Sequence, residues 1–410
     1  MHRFGWLFGL GILMFLALGC SGNSSSSSDR ETEIWLAINN LRLKLENKLG
    51  QPVPSLNVFV QTPAETVFAS AGNTQEEAIT ADTYFRIASI TKNFTATAIL
   101  LMQQNGWLDI THTITTIMPG GEAPYIPDTP DYDIPFKNEI TIEQLLQHTA
   151  GVYDVGNSPV PGCDGYSYVG WMLERQPDHQ FTAAEMVSQD AIHQLSYFAP
   201  GTDYHYSDTG YTILGEIISR VYTFRAETPK TYSDFLLEQV VGPVTPVPLA
   251  IAFPYLSTDQ TMPSPSVCGT VIDTEGNIIY CRDNLSPHVA QGNGLATMRQ
   301  LSNFVRTLMQ GENVLSPNSV ALMQNETSSF EPKYGLGCKK FQYLGYGHGG
   351  DTRGYSSVMA YNPETEVSIV ALLPLWDIRS LENFMACQKT YFNAAFETLK
   401  ILGYPAETLN

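Results

Sequence analysis

A hydroxyl and an amine stand three residues apart in Ser89-Ile90-Thr91-Lys92. On a helix that spacing puts both side chains on one face, so the amine can reach the hydroxyl. Burial lowers the proton affinity of an amine, and a helix N-terminus favours negative charge at a reacting atom. These are the conditions that activate a serine nucleophile. With 10 lysines and 29 serines, chance gives roughly 0.7 such pairs in a chain of this length. The ordinary reading is therefore a surface Lys beside a helix-capping Ser. Position argues otherwise, because this single Ser-x-x-Lys pair opens the most apolar helical run of the chain. Phe94, Ala96, Ala98, Ile99, Leu100, Leu101 and Met102 surround that helix on all faces, which predicts burial.

Two further segments carry polar groups in suggestive settings. Tyr206-Ser207-Asp208 lies just before a predicted helix, where Ser or Asp is ordinarily an N-cap. Tyr346-Gly-His-Gly-Gly-Asp-Thr-Arg-Gly-Tyr355 has glycines that permit close backbone approach; its ordinary reading is a hairpin turn with an incidental His348.

The elements that must position these residues follow from periodicity. Glu31–Leu49 has apolar Ile34, Ile38, Leu41 and Leu45 at helical spacing and ends at Gly50. Residues 56–60 and 66–70 read as strands. Helices are expected at 140–148, 182–194, 209–221, 232–241 and 297–309, and an amphipathic one at 380–402. Residues 118–139 and 152–180 are rich in Pro, Gly and aromatics and read as long loops, of the kind that form cleft walls. Residues 268–281 read as a hairpin, 334–344 and 355–373 as strand-rich around a glycine-dense turn at 345–354. The pattern predicts an α+β fold: an antiparallel sheet flanked by N- and C-terminal helices, plus a mainly helical lobe at about 106–290. If Asp273 and Gly276 close the hairpin turn, Cys268 and Cys281 oppose each other at disulfide distance.

Charge excludes one large class of function. The 410 residues carry 22 Lys plus Arg against 41 Asp plus Glu, net −19, and such a surface repels phosphate backbones. Nucleic acid is not an expected partner. No Cys-x-x-Cys, His-Glu-x-x-His, phosphate-binding loop or Gly-x-Ser-x-Gly occurs, so neither metal nor cofactor is expected.

Residues 1–19 read as a targeting segment. Arg3 precedes an uncharged run from Phe4 to Leu18, about 22 Å long as a helix and too short for a ~30 Å hydrocarbon core. Ala17-Leu18-Gly19-Cys20 and a serine-rich stretch follow, which resembles a bacterial lipoprotein signal. That implies cleavage before Cys20, lipid on its thiol, a tether over 20–30 and the folded domain over 31–410. The expected location is the cell envelope, with the membrane touched only through the lipid.

Taken together, Ser-x-x-Lys, Tyr-Ser-Asp about 115 residues on and His-Gly-Gly near the C-terminus resemble the penicillin-recognising serine hydrolases. The match is narrower to the class C β-lactamase-like group with its DD-carboxypeptidase, aminopeptidase and esterase relatives. Phe85-Arg-Ile-Ala-Ser89, Leu145-Leu-Gln-His-Thr-Ala-Gly151 and Gly292-Asn-Gly-Leu-Ala-Thr297 support it, and it covers about 34–402. It implies Ser89 as nucleophile and Lys92 and Tyr206 as proton-transfer partners. It also implies that His348, Gly349 and Gly350 line the sheet edge along which an acyl substrate lies, and an oxyanion hole from the backbone N–H groups of Ser89 and Asp351.

Two departures stand out. Asp208 occupies a position commonly Asn, and an ionised carboxylate there is expected to hold Lys92 protonated. Lys92 would then lower the pKa of Tyr206 and leave Tyr206 as the base. His348 occupies a position commonly Lys in β-lactamases, which favours a peptidase or esterase. The expected activity is acyl-enzyme hydrolysis of a small-molecule or peptide substrate by a monomer. The alternatives are a class C β-lactamase, or a catalytically weak lipoprotein that binds cell-wall peptide.

Overall fold

Alternate residues of the run Val367–Leu373 enter two different cores: Val370 and Leu372 one, Ile369, Ala371 and Leu373 the other. That is the period-2 geometry of a strand buried on both faces. The computed structural model, which describes residues 27–72, 78–325 and 328–409, builds the fold around it. The targeting segment and Cys20 lie outside the described residues.

The chain runs through α1 (Ser27–Leu49), β1 (Leu56–Gln61), β2 (Thr66–Ala71), β3 (Tyr84–Arg86) and α2 (Thr91–Gln104). A helical block follows, with α3 (Ile142–Leu146), α4 (Tyr168–Arg175), α5 (Ala183–His193), α6 (Asp208–Ala226) and α7 (Tyr232–Phe235). Then come β4 (Gly269–Ile272), β5 (Asn277–Tyr280), β6 (Leu295–Thr297), α8 (Met298–Met309) and α9 (Pro317–Asn325). The C-terminal part holds β7 (Lys339–Phe341), β8 (Gly345–Thr352), β9 (Tyr355–Asn362), β10 (Val367–Leu373), β11 (Leu375–Asp377) and α10 (Leu381–Ile401).

Six strands form one antiparallel sheet in the order β2-β1-β10-β9-β8-β7. The terminal helices α1 and α10 lie together on one face; α8 covers the other, where a larger core continues into α2 and the helical block. This is the α+β arrangement expected. Capping chemistry sets the helix starts: Thr297 and Gln300 form a capping box on α8, and Ser380 accepts from the Asn383 N–H on α10.

The hairpin register is as anticipated. Gly269 faces Tyr280 and Ile272 faces Asn277, and Cys268 is disulfide-bonded to Cys281 with Cα atoms 4.4 Å apart. Four readings differ. Residues 345–352 are strand, not turn, and the turn shrinks to Arg353-Gly354. A Cβ on Gly347 would stand 1.9 Å from the Met359 carbonyl oxygen, so glycine here makes room rather than a bend. Residues 168–175, expected in a loop, form α4, nucleated by Ser167 accepting from the Gly170 N–H. Helix α9 was not anticipated. Helix α1 begins at Ser27, inside the expected tether, and an Arg30–Glu65 ion pair holds that end. No helix among the described residues is long and apolar enough to cross a membrane.

Candidate active site

Twelve consecutive residues of α2, Thr91 to Met102, are buried, as a helix apolar on all faces must be. Ser89 stands in a 3-10 turn just ahead of it. Ala88, the residue before, has φ +47°, a conformation that costs a non-glycine residue about 1–3 kcal/mol and must be held by its surroundings. The hold is visible. Ile87 N–H donates to the Gly294 carbonyl at 3.1 Å and Gly294 N–H to Thr91 Oγ1 at 3.0 Å. On the other side a Cβ on Gly350 would stand 2.2 Å from the Ile87 carbonyl oxygen. The serine turn is clamped between β8 and the segment leading to β6, and both contacts need glycine.

Lys92 is fully buried. Its Nζ donates to Asp208 Oδ1 at 2.6 Å and to the Gln291 carbonyl at 2.9 Å, and lies 3.2 Å from Ser89 Oγ. Burial pushes the amine below its ordinary pKa, and the Asp208 carboxylate opposes this without reversing it. Asp208, Gln291 and Ser89 thus surround Nζ on three sides, and the contact to Ser89 Oγ is the longest of the three.

Tyr206 completes the group, with Lys92 Nζ 4.8 Å from its ring centroid. Burial and then the Asp208 charge drive its pKa well above the usual phenol value, and a hydrogen bond with Ser89 acts the other way. Desolvation outweighs Asp208 at Lys92 and raises Tyr206, so burial moves both groups away from the ionised forms that the expected division of labour uses.

Ser207 caps α6 by accepting from the Gly210 N–H, so the ordinary N-cap reading of this segment holds alongside the functional one. Asp208 is tied on both oxygens: its Oδ2 accepts from Asn157 Nδ2 at 2.8 Å, which also donates to Asp154 Oδ2 at 3.0 Å. Burial and the neighbouring Asp208 charge raise buried Asp154 to about 6.

His348, Gly349 and Asp351 line the cleft with Ser89. Strand β7 pairs with β8 only as far as Gly347, so among the described residues His348–Thr352 have β9 on one side and no strand on the other. His348 itself is buried and locked. Its Nδ1–H donates to the Gly349 carbonyl at 2.5 Å, so Nε2 accepts from Tyr334 Oη at 2.7 Å, and burial lowers its pKa well below the usual imidazole value. Asp351 sends its side chain to Gln388 of α10 at 2.5 Å.

Two residues at the site escaped the sequence reading. Lys339, opposite Gly347 in the sheet register, places its amine 5.6 Å from the Tyr206 ring centroid and 5.7 Å from that of Tyr334. It brings an amine into the cleft beside His348, and only strand register reveals it. His148, within Leu145-Leu-Gln-His-Thr-Ala-Gly151, braces the Tyr206 segment twice. Its carbonyl accepts from the His205 N–H at 3.0 Å and its Nδ1 from the Ser207 N–H at 3.1 Å. Its φ of +59° permits both, and its ring lies 4.1 Å from that of Tyr206. The motif was visible, but not its partner.

Ser89 stands where two cavities meet, of about 640 and 220 Å³, sharing Asn157, Asp208 and Asp351. One is walled by Tyr204, Tyr391 and Phe392, the other by His288, Arg353 and Trp376. A reacting carbonyl at the serine can therefore place one substituent in each.

Comparison with known proteins agrees with this layout. The family model described as Beta-lactamase matches residues 43–376. Penicillin-binding protein 4* of Bacillus subtilis (strain 168) is 26% identical over 182 residues, 43% of this chain and 32% of that protein. Penicillin-binding protein 4 of Amycolatopsis lactamdurans is 23% identical over 300 residues, 69% of this chain and 66% of that one. The chain thus spans less than two thirds of either relative. Among solved structures, a D-stereospecific amidohydrolase from Streptomyces sp. has TM-score 0.64 at 24% identity, covering 83% of this chain and 94% of its own. A D-amino acid amidase from Ochrobactrum anthropi SV3 has TM-score 0.68 at 21% identity, covering 90% and 99%.

Proposed function

Since this chain belongs to the β-lactamase family and is a serine hydrolase of that family, we propose that it hydrolyses an amide or ester through an acyl-enzyme on Ser89. The observation that carries this reading is the setting of buried Lys92 Nζ, 3.2 Å from Ser89 Oγ and held there by Asp208 and the Gln291 carbonyl. Lys92 takes the Ser89 proton as Oγ attacks the carbonyl carbon. The proton passes through the Tyr206 hydroxyl to the leaving amine or alcohol as its bond to carbon breaks. Water then attacks the acyl-serine, giving its proton back through the same pair and returning Ser89 to its starting form. The Ser89 and Asp351 backbone N–H groups are assigned to the developing oxyanion.

A substrate of D configuration is the preferred class, because one fold relative is named a D-stereospecific amidohydrolase and another a D-amino acid amidase. Lys339 on one cavity wall suits a substrate carboxylate, as in a peptide C-terminus. An exported, lipid-anchored enzyme at Cys20 fits such cell-wall chemistry and belongs to the same proposal.

A fluorophosphonate should add its mass to the peptide containing Ser89, and Ser89→Ala should abolish labelling and lower turnover by several orders of magnitude without unfolding the protein. Turnover should be greatest on D-Ala-D-Ala peptides or D-amino acid amides in a panel that also holds short-chain esters and a chromogenic cephalosporin. Full turnover in Ser89→Ala would defeat the mechanism. Tight peptide binding with no covalent adduct would instead favour a binding protein.

A further inference from the structure

A cavity of about 390 Å³ opens in the helical block and shares no lining residue with the two that meet at Ser89. Its walls are largely apolar, with Phe181, Met186, Tyr232, Leu256 and Val289 among them. One carboxylate breaks the pattern. Glu216 of α6 lines the cavity and makes no hydrogen bond or ion pair among the described residues.

Its possible cationic partners are engaged elsewhere. Arg220, one helical turn on, donates to the Tyr125 carbonyl at 2.9 Å and the Pro124 carbonyl at 3.1 Å. Lys230, at the cavity wall, is bonded to Glu238 at 2.6 Å. A half-buried carboxylate without a protein donor keeps only part of its hydration, which raises its energy. Burial accordingly raises its pKa, with Arg220 acting weakly against this. Three residues on, Ser219 lies on the same helix face and also lines the cavity; its hydroxyl proton goes to the Gly215 carbonyl at 2.9 Å, which leaves lone pairs to accept with.

We infer that this cavity is a second ligand site, for a primary ammonium ion carried on a compact apolar group. Glu216 takes the ammonium, Ser219 accepts one of its remaining protons, and the apolar walls cover the hydrocarbon. The excess of acidic residues over the whole chain, net −19, draws cations toward any such site. An uncharged ligand of the same shape would leave the carboxylate desolvated, so the site selects for charge.

Calorimetric titration of the intact protein with benzylamine and with benzyl alcohol at neutral pH tests this. Benzylamine should bind at one site about tenfold more tightly than the alcohol, a difference of about 1.4 kcal/mol. Glu216→Gln should remove that preference, and Asp351→Asn, which alters the carboxylate of the serine cleft, should leave it. Should Glu216→Gln fail to fold, the two ligands on the unaltered chain and on Asp351→Asn still decide the matter. Equal affinity for the two ligands, no binding of either at millimolar concentration, or a preference lost with Asp351→Asn would each overturn the assignment.

Discussion

Lys92 sits closer to Asp208 than to the serine it serves, with Nζ 2.6 Å from the carboxylate and 3.2 Å from Ser89 Oγ. The carboxylate holds up a pKa that burial pushes down. Removing it lets the amine lose its proton at lower pH. If neutral Lys92 is the base, Asp208→Asn should move the acid limb of kcat/KM toward lower pH, with a reduced plateau because one N–H of Lys92 loses its strongest acceptor. A limb that stays in place or moves upward would mean that Lys92 is not the base.

His148 offers a sharper test of positioning. Asn tolerates a positive φ and carries an acceptor near the place of Nδ1. His148→Asn should therefore keep most of kcat, whereas His148→Leu should lower it by about 10²-fold, the size of effect that loss of alignment brings, with KM little changed. Equal loss in both variants, or a loss confined to KM, would remove the bracing role.

Neighbouring glycines of β8 should respond oppositely. A Cβ on Gly350 would meet the Ile87 carbonyl at 2.2 Å, two residues from the nucleophile, whereas on Gly349 its nearest contact is an ordinary 3.6 Å to the Ser357 carbonyl. Gly349→Ala should keep activity and fold. Gly350→Ala should slow fluorophosphonate labelling of Ser89 by at least about 10²-fold. Comparable labelling rates in the two variants would show that the serine turn yields freely.

Asp190 bears on stability. It is buried in α5 with both carboxylate oxygens unpartnered among the described residues, and burial raises its pKa well above the ordinary value. A raised folded-state pKa means stability is fully present below the unfolded value near 4 and is lost as pH rises through the folded one. Asp190→Asn should match the parent near pH 4 and melt several degrees higher at pH 8. A variant less stable at pH 8 would mean that the carboxylate has a partner in solution.

What could be read from the sequence was what repeats or stands in order along the chain. The all-apolar run after Ser89 marked α2 as buried, alternation marked the strands, and hairpin arithmetic paired Cys268 with Cys281. Contacts made by register across the fold were hidden. Lys339 becomes a site residue only because β7 lies opposite Gly347, and His148 only because its loop meets residue 207. The glycines of 345–354 left two readings open, close backbone approach and a turn, since a glycine that makes space and one that makes a turn look alike until a neighbouring backbone is known. The balance at Lys92 was likewise closed to the sequence, because desolvation depends on everything packed around the amine.

The position of β1 between β2 and β10 governs when the protein can fold during synthesis. Asn57 pairs with Leu372, so the inner edge of β1 waits while 315 further residues are made. At 5–20 residues per second that is roughly 15–60 s. Through that interval Val58, Phe59 and Val60, all buried in the finished molecule, have only a two-stranded hairpin and α1 to shelter them. Such an open apolar edge is a template for aggregation. Until β10 arrives, that edge is uncovered for longer than in a protein built from local contacts.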